Sequence, residues 1–197
     1  MKSVLIAIRP QLVEKIASGQ KTIEVRRTRP KLEVPFKCYI YESRNGGHRC
    51  KHCNEKDSCY SYAPKNVGCY NGRGKVIGWF ICNSVDEYPY DYCDGVDIDD
   101  DTILETAIDR EDINIYAKGK TLYGWHISDL KIYDKPRELS EFKKTKELIA
   151  RTCGMQAMNG LCCAIDHEEL CDNIKCCFKT PCPPQSWCYV EDLGEEK

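Results

Sequence analysis

The sequence has no run that approaches the roughly 20 apolar residues a membrane span requires. Its opening apolar stretch, residues 4–8, is too short for the core of a secretory signal peptide and ends at Arg9-Pro10. Neither a membrane protein nor an exported one is expected, so the expected location is cytoplasmic. Net charge is also lacking: 29 Lys and Arg stand against 31 Asp and Glu, giving −2, so no overall basic charge advertises nucleic acid. There is no internal repeat and no low-complexity linker. Walker loop, GxGxxG, HExxH and nucleophile elbow are all missing, which removes the common nucleotide-hydrolysis, dinucleotide, metalloprotease and serine-hydrolase signatures. Cysteine is absent from residues 1–37 and again from 94–152.

Elsewhere cysteine is abundant. The chain holds 15 in 197 residues, seven within 38–93 and eight within 153–188. An odd count without an export signal points to metal ligands or buried thiols in a reducing compartment rather than to a disulfide scaffold. Length and an apolar content of 42% suit one domain over 1–197. That domain carries a Cys-rich insertion at about 44–73 and a Cys-rich C-terminal elaboration at about 153–182. Charge is segregated: residues 1–37 hold nine cations and three Glu, whereas 86–112 hold twelve acids and one arginine. The basic end is either a local anion site or a solvated face.

Residues 4–8 read as a buried strand. Pro10 suits a first helical turn, Leu12/Ile16 and Val13/Ala17 repeat on one face, and Gly19 marks the stop. Residues 22–26 alternate, which puts Thr22, Glu24 and Arg26 on one strand face. Further strands are predicted at 38–42, 75–82, 121–127, 130–133 and 186–191, with helices at about 109–117 and 140–151. Residues 44–73 and 86–101 read as loops. The pattern predicts an α+β fold, a small and mostly antiparallel barrel with short flanking helices.

The run Gly19-Gln20-Lys21-Thr22-Ile23-Glu24-Val25-Arg26, after a strand, Arg9-Pro10 and a helix, resembles the G-x-K-x-x-E-x-R signature of the ASCH domain, a branch of the PUA-like superfamily. Gly74-Lys75-Val76-Ile77-Gly78-Trp79-Phe80 resembles its central strand, and Tyr123-Gly124-Trp125-His126-Ile127 with Lys135-Pro136-Arg137-Glu138-Leu139 its late strand and exit. Pro183-Pro184-Gln185-Ser186-Trp187-Cys188-Tyr189-Val190 is similar to the last strand of phage-type members. The resemblance implies a PUA-like β-barrel with a cleft beside the first helix that takes RNA or a nucleotide. Some ASCH proteins are ribonucleases, and one small group hydrolyses an acylated cytidine with a Lys and a Thr three residues apart. Here Lys21 is present but Glu24 stands at the threonine position.

Arg9, Lys21, Glu24, Arg26, Trp125 and His126 are the candidate ligand-binding residues. Cations hold phosphate, arginine bidentately, and a carboxylate accepts from a base edge. Lys21 and Glu24 would be the catalytic pair if the protein is an enzyme, a ribonuclease or nucleobase-amide hydrolase. Alternatively Glu24 and Arg26 pair only to order their strand. Trp125 would stack on a base, although a tryptophan inside a strand favours the core. His126 points to the opposite face. Cys50, Cys53, Cys59 and Cys69 have the look of a structural zinc site, and Cys163, Cys171, Cys176 and Cys182 of a second; free thiols or disulfides are the alternative. The acidic stretch with Tyr88, Tyr90 and Tyr92 would be the contact surface if the chain is a protein-interaction module.

Overall fold

A computed structural model describes residues 2–44, 72–143 and 183–194. The eight expected zinc ligands, and with them both Cys-rich elaborations, lie outside the described residues, as does most of the helix expected at 140–151.

The chain opens with β1 (Lys2–Ile8), whose interior is almost wholly buried. Helix α1 (Pro10–Ala17) follows at once, with Pro10 in the first turn, where no N–H donor is needed. It buries Pro10, Val13 and Ile16, and Gly19 ends it at φ +77°, a conformation open to a residue without Cβ. Strand β2 (Ile23–Arg26) is next, then β3 (Phe36–Glu42), which lies parallel to β1. The link between those two parallel strands is thus α1 plus β2, the long crossover that parallel neighbours need.

Strands β4 (Val76–Tyr88) and β7 (Leu122–Arg137) form the antiparallel spine of the sheet. Both run further than their sequence predicts. The alternation in β7 breaks near Asp129 because that residue sits at φ +47° and the register with β4 shifts there, so one bent strand reads as two. At Gly78 the two strands come so close that an added Cβ would run into the Lys131 carbonyl oxygen and lie 3.0 Å from Ile132 Cα. Gly78→Ala is therefore expected to lower stability by about 1–3 kcal/mol, the usual cost of overpacking. Urea unfolding measures it, and an unchanged midpoint would show that the two backbones can part.

Residues 86–101 are not a loop. Strand β4 continues to Tyr88, a small hairpin follows of β5 (Tyr90–Asp91) and β6 (Gly95–Val96), and helix α2 spans Asp100–Thr106. Asp99 caps α2: its carboxylate accepts from the Thr102 amide at 2.8 Å and from the Thr102 hydroxyl at 2.7 Å. Those hydrogen bonds hold the Asp99 carboxyl below its ordinary range. Helix α3 (Arg110–Ala117) packs Ile113 and Ala117 against β2 residues Ile23 and Val25. A 3₁₀ turn (Leu139–Glu141) stands where the 140–151 helix was expected to begin, and β8 (Trp187–Glu191) ends the described chain.

The main sheet has the order β2-β7-β4-β3-β1-β8, and every pairing except β1 with β3 is antiparallel. The sequence reading of a barrel is corrected in one respect: among the described residues the ladder does not close, and β2 and β8 are its two ends. Side chains span the gap instead. Arg26 on β2 donates to the Ala7 carbonyl at 2.7 Å and lies 3.3 Å from Ser186 Oγ. Trp187 donates to Thr28 at 3.0 Å, and the Lys31 amide donates to the Tyr189 hydroxyl at 2.7 Å. Contacts between the two ends of the strand order require the sheet to curl on itself. Beside the seam the rings of Trp125 and Trp187 meet edge-on at 5.9 Å.

Candidate functional site

Lys21, Glu24 and Arg26 converge beside the seam. Glu24 and Arg26 share a face of β2 because they are two residues apart, and Lys21 reaches the same point from the turn after α1. One carboxylate oxygen of Glu24, Oε1, lies 2.9 Å from Arg26 Nη2; the other, Oε2, lies 3.3 Å from Lys21 Nζ. The Lys21 ammonium also donates to the carbonyls of Ile23 and Thr106, each at 2.7 Å. All three residues are buried, Lys21 to 1% exposure. Two cations thus share one carboxylate in a place with little water, leaving a surplus positive charge under the surface.

Burial alone would be expensive for such a group. It is tolerated because the cations hold backbone as well as carboxylate. Lys21 caps the C-terminal end of α2 through Thr106, and Lys15 does the same through Ala107 at 2.7 Å. Cations at that end also meet the negative pole of the helix. Loss of water pushes the Lys21 amine below its ordinary range, an effect that Glu24 partly opposes.

Behind the triad, Cys38 and Cys82 are buried on adjacent strands. Burial raises both thiols, that of Cys82 to about 12 from an ordinary 9.0. A thiol harder to ionise in the fold than in the unfolded chain contributes stability that is complete below pH 9.0 and is lost as the pH rises towards about 12. The buried tyrosines Tyr39 and Tyr88, also raised, add the same sign above pH 10.0. Lys21, lowered, opposes it. Above pH 10.5 the opposing contribution of Lys21 is complete and the four raised groups act alone, so urea midpoints are expected to fall between pH 10.5 and pH 12. A flat profile would contradict that.

A hollow of about 1930 Å³ lies against the triad, between α1, the end of β2, α3 and residues 183–186. Glu24 and Arg26 line it; Lys21 does not. Arg9 lines it from the start of α1, Arg27 from the end of β2, and Lys118 and Lys120 from beyond α3. Glu14, Asp109, Asp112 and Glu138 are also on its walls, so the surface is mixed with a modest positive balance. Arg27 rests 5.1 Å over the ring of Tyr116.

The other two candidates fall elsewhere. Trp125 is fully buried in the core, edge-on to Phe36 at 5.8 Å as well as to Trp187, so its ring faces are not open to a stacked base. His126 is on the other face of β7, half-buried, with Nε2 2.7 Å from Asp86 Oδ2, and does not line the hollow. Among the described residues no group of three or more His, Cys, Asp or Glu could hold a metal ion. Several acids of 86–112 have local partners: Asp86 holds His126, Asp99 caps α2, and Asp100 pairs with Arg110 at 2.7 Å. Of the three tyrosines there, Tyr88 is buried and Tyr92 is 90% exposed. Among the described residues no helix is long and apolar enough to cross a membrane.

The partnership of Lys21 with Thr106, 85 residues away, had no signal in the sequence. Nor did the wall formed by Lys118 and Lys120. A cap pattern, Asp99 followed by Thr102, was there to reveal α2.

No family model matches the chain, and no curated protein matches it in sequence. Solved structures do. The chain is similar to ASCH from Zymomonas mobilis with a TM-score of 0.50 and 15% identity, over 96% of this chain and 87% of that one. Two single-substitution variants of that protein give TM-scores of 0.51 and 0.50 at 15% and 14% identity, covering 97% and 96% of this chain and 91% and 88% of theirs. At such identity the likeness establishes the fold: the chain has the ASCH fold.

Proposed function

We propose that this ASCH-fold chain binds single-stranded RNA in the hollow beside α1, with Glu24 and Arg26 as its floor and Arg9, Arg27, Lys118 and Lys120 as phosphate contacts on its walls. The observation that carries this reading is that two of the three signature residues, Glu24 and Arg26, line a large open hollow. At about 1930 Å³ the space exceeds the roughly 300–1,000 Å³ of a small-molecule pocket, which favours a stretch of nucleic acid over a lone nucleotide. The modest positive balance fits a ligand held by a few phosphate contacts, and a floor with both a cation and a carboxylate suits a base as well as a phosphate.

The reading is of binding rather than turnover. The Lys21 ammonium has three hydrogens and three neighbours, Ile23 O, Thr106 O and Glu24, so it has none left for a substrate. Its work is to hold Glu24 in place.

The test is fluorescence anisotropy of a labelled RNA oligomer with the full chain, between 50 and 200 mM salt, with gel analysis of the RNA afterwards. Binding is expected at low salt, weakening steeply as salt rises, with the RNA recovered intact. No binding at 50 mM salt overturns the proposal, and cleaved RNA with EDTA-treated protein overturns its restriction to binding.

A further inference from the structure

We infer that Arg27 and Tyr116 form a stacking platform that holds one unpaired base of the RNA. The inference rests on the proposed RNA-binding cleft and names the place in it where a base is held.

Arg26 and Arg27 are adjacent in the chain but have different surroundings. Arg26 is buried against Glu24 and the Ala7 carbonyl. Arg27 is exposed and reaches α3, where its guanidinium lies over the ring of Tyr116 with Cζ 5.1 Å from the centroid. Both Arg27 and Tyr116 line the hollow. The only other aromatic residue lining it among the described residues, Tyr41, is buried. The Tyr116 ring is half-buried and packs against the cluster that holds Ile23, Val25, Ile113 and Ala117. The backbone after Arg27 is anchored as well. Thr28 accepts from the Trp187 indole at 3.0 Å, Pro30 is buried, and the Lys31 amide donates to the Tyr189 hydroxyl at 2.7 Å.

The Arg27 guanidinium has no other engagement: among the described residues it has neither a hydrogen bond nor an ion pair, and the Tyr116 ring is its one partner. Lys15, by contrast, is tied to the Ala107 carbonyl. Lys118 and Lys120 carry ammonium groups, which are compact and strongly hydrated, whereas a guanidinium is planar, weakly hydrated and able to stack. With Tyr116 on one side of it, an exposed guanidinium offers its remaining surface to the hollow. Its N–H donors lie in its own plane, so the edge can hold a phosphate while the face carries a base. Unpaired bases are held in this way on aromatic rings and on arginine planes. A base inside a duplex has both faces covered by its neighbours, so the platform takes a single strand. Anchoring on both sides, by the packed ring and by the fixed 28–31 backbone, lowers the cost of ordering Arg27 when the base arrives.

The test titrates the full chain with labelled oligo-A and with an abasic ribose-phosphate oligomer of the same length and charge. Oligo-A is expected to bind about fivefold or more tightly, the least that one stacked base contributes. Arg27→Lys, which keeps the charge and loses the plane, should reduce that preference several-fold while leaving abasic binding and its salt dependence unchanged. Tyr116→Leu, which removes the supporting ring, should reduce it likewise. An undiminished preference in Arg27→Lys, or an equal loss for both oligomers, would make Arg27 a phosphate contact alone and overturns the inference; an undiminished preference in Tyr116→Leu removes Tyr116 from the platform and overturns it as stated. Equal binding of both oligomers to the native chain also overturns it and leaves the cleft proposal standing. Binding of neither overturns the cleft proposal itself.

Discussion

Glu24→Ala is expected to destabilise the protein by about 3–5 kcal/mol, the range for breaking a buried ion pair by removing one partner. Lys21 and Arg26 would then face each other without the carboxylate that lies 3.3 Å and 2.9 Å from them. Both are too enclosed for water to take its place. A total stability of about 5–15 kcal/mol makes that a large fraction. The loss would also spread: Lys21 holds the end of α2 and Arg26 spans the seam between β2 and β1, so both attachments weaken together. Urea unfolding at pH 7 gives the figure. A loss below about 1 kcal/mol would mean that the triad is more hydrated than its burial indicates.

Reversing two wall charges is expected to have the opposite profile, with stability intact and RNA binding lost. Arg9 and Lys120 are exposed and line the hollow, and neither side chain has a buried partner among the described residues. Surface changes of this kind usually alter stability by no more than about 0.5 kcal/mol. In Arg9→Glu/Lys120→Glu, each lost phosphate contact should reduce the log–log salt slope by about 0.7, the single-strand value. Affinity at 50 mM salt should fall about tenfold or more, since repulsion replaces attraction at both sites. Lys131→Glu is the control: it is exposed on β7, away from the hollow, and should leave the slope as it was. If the control weakens binding as much as the double reversal, the RNA is held by general charge and not by the hollow.

Local patterns in the sequence specify the site better than they specify the fold around it. Pro10 and Gly19 delimit α1 because each acts through its own backbone, and the alternation of 22–26 puts Glu24 beside Arg26 wherever that strand ends up. The expectation that these residues and Lys21 form one constellation therefore needed no long-range information. The parts that sequence did not reveal depend on distant partners. Nothing near Lys21 announces Thr106, and nothing near Arg26 announces Ala7 and Ser186, yet those contacts decide that the sheet curls without closing. Helix α2 was hidden by composition: four aspartates at 97–101 read as a loop, whereas Asp99 is its cap and Asp100 and Asp101 face the positive end of the helix. Trp125 shows both sides of the matter. Its strand position correctly favoured the core, but only the structure reveals that its N–H has no partner among the described residues.

Backbone hydrogen exchange of the full chain, with and without a saturating RNA oligomer, tests the account most directly, because it reports where the ligand sits. Protection is predicted in the first turn of α1, in residues 24–28 and in residues 107–120, the segments that wall the hollow. Protection confined to the β5–β6 hairpin and α2, with the hollow unchanged, would contradict it.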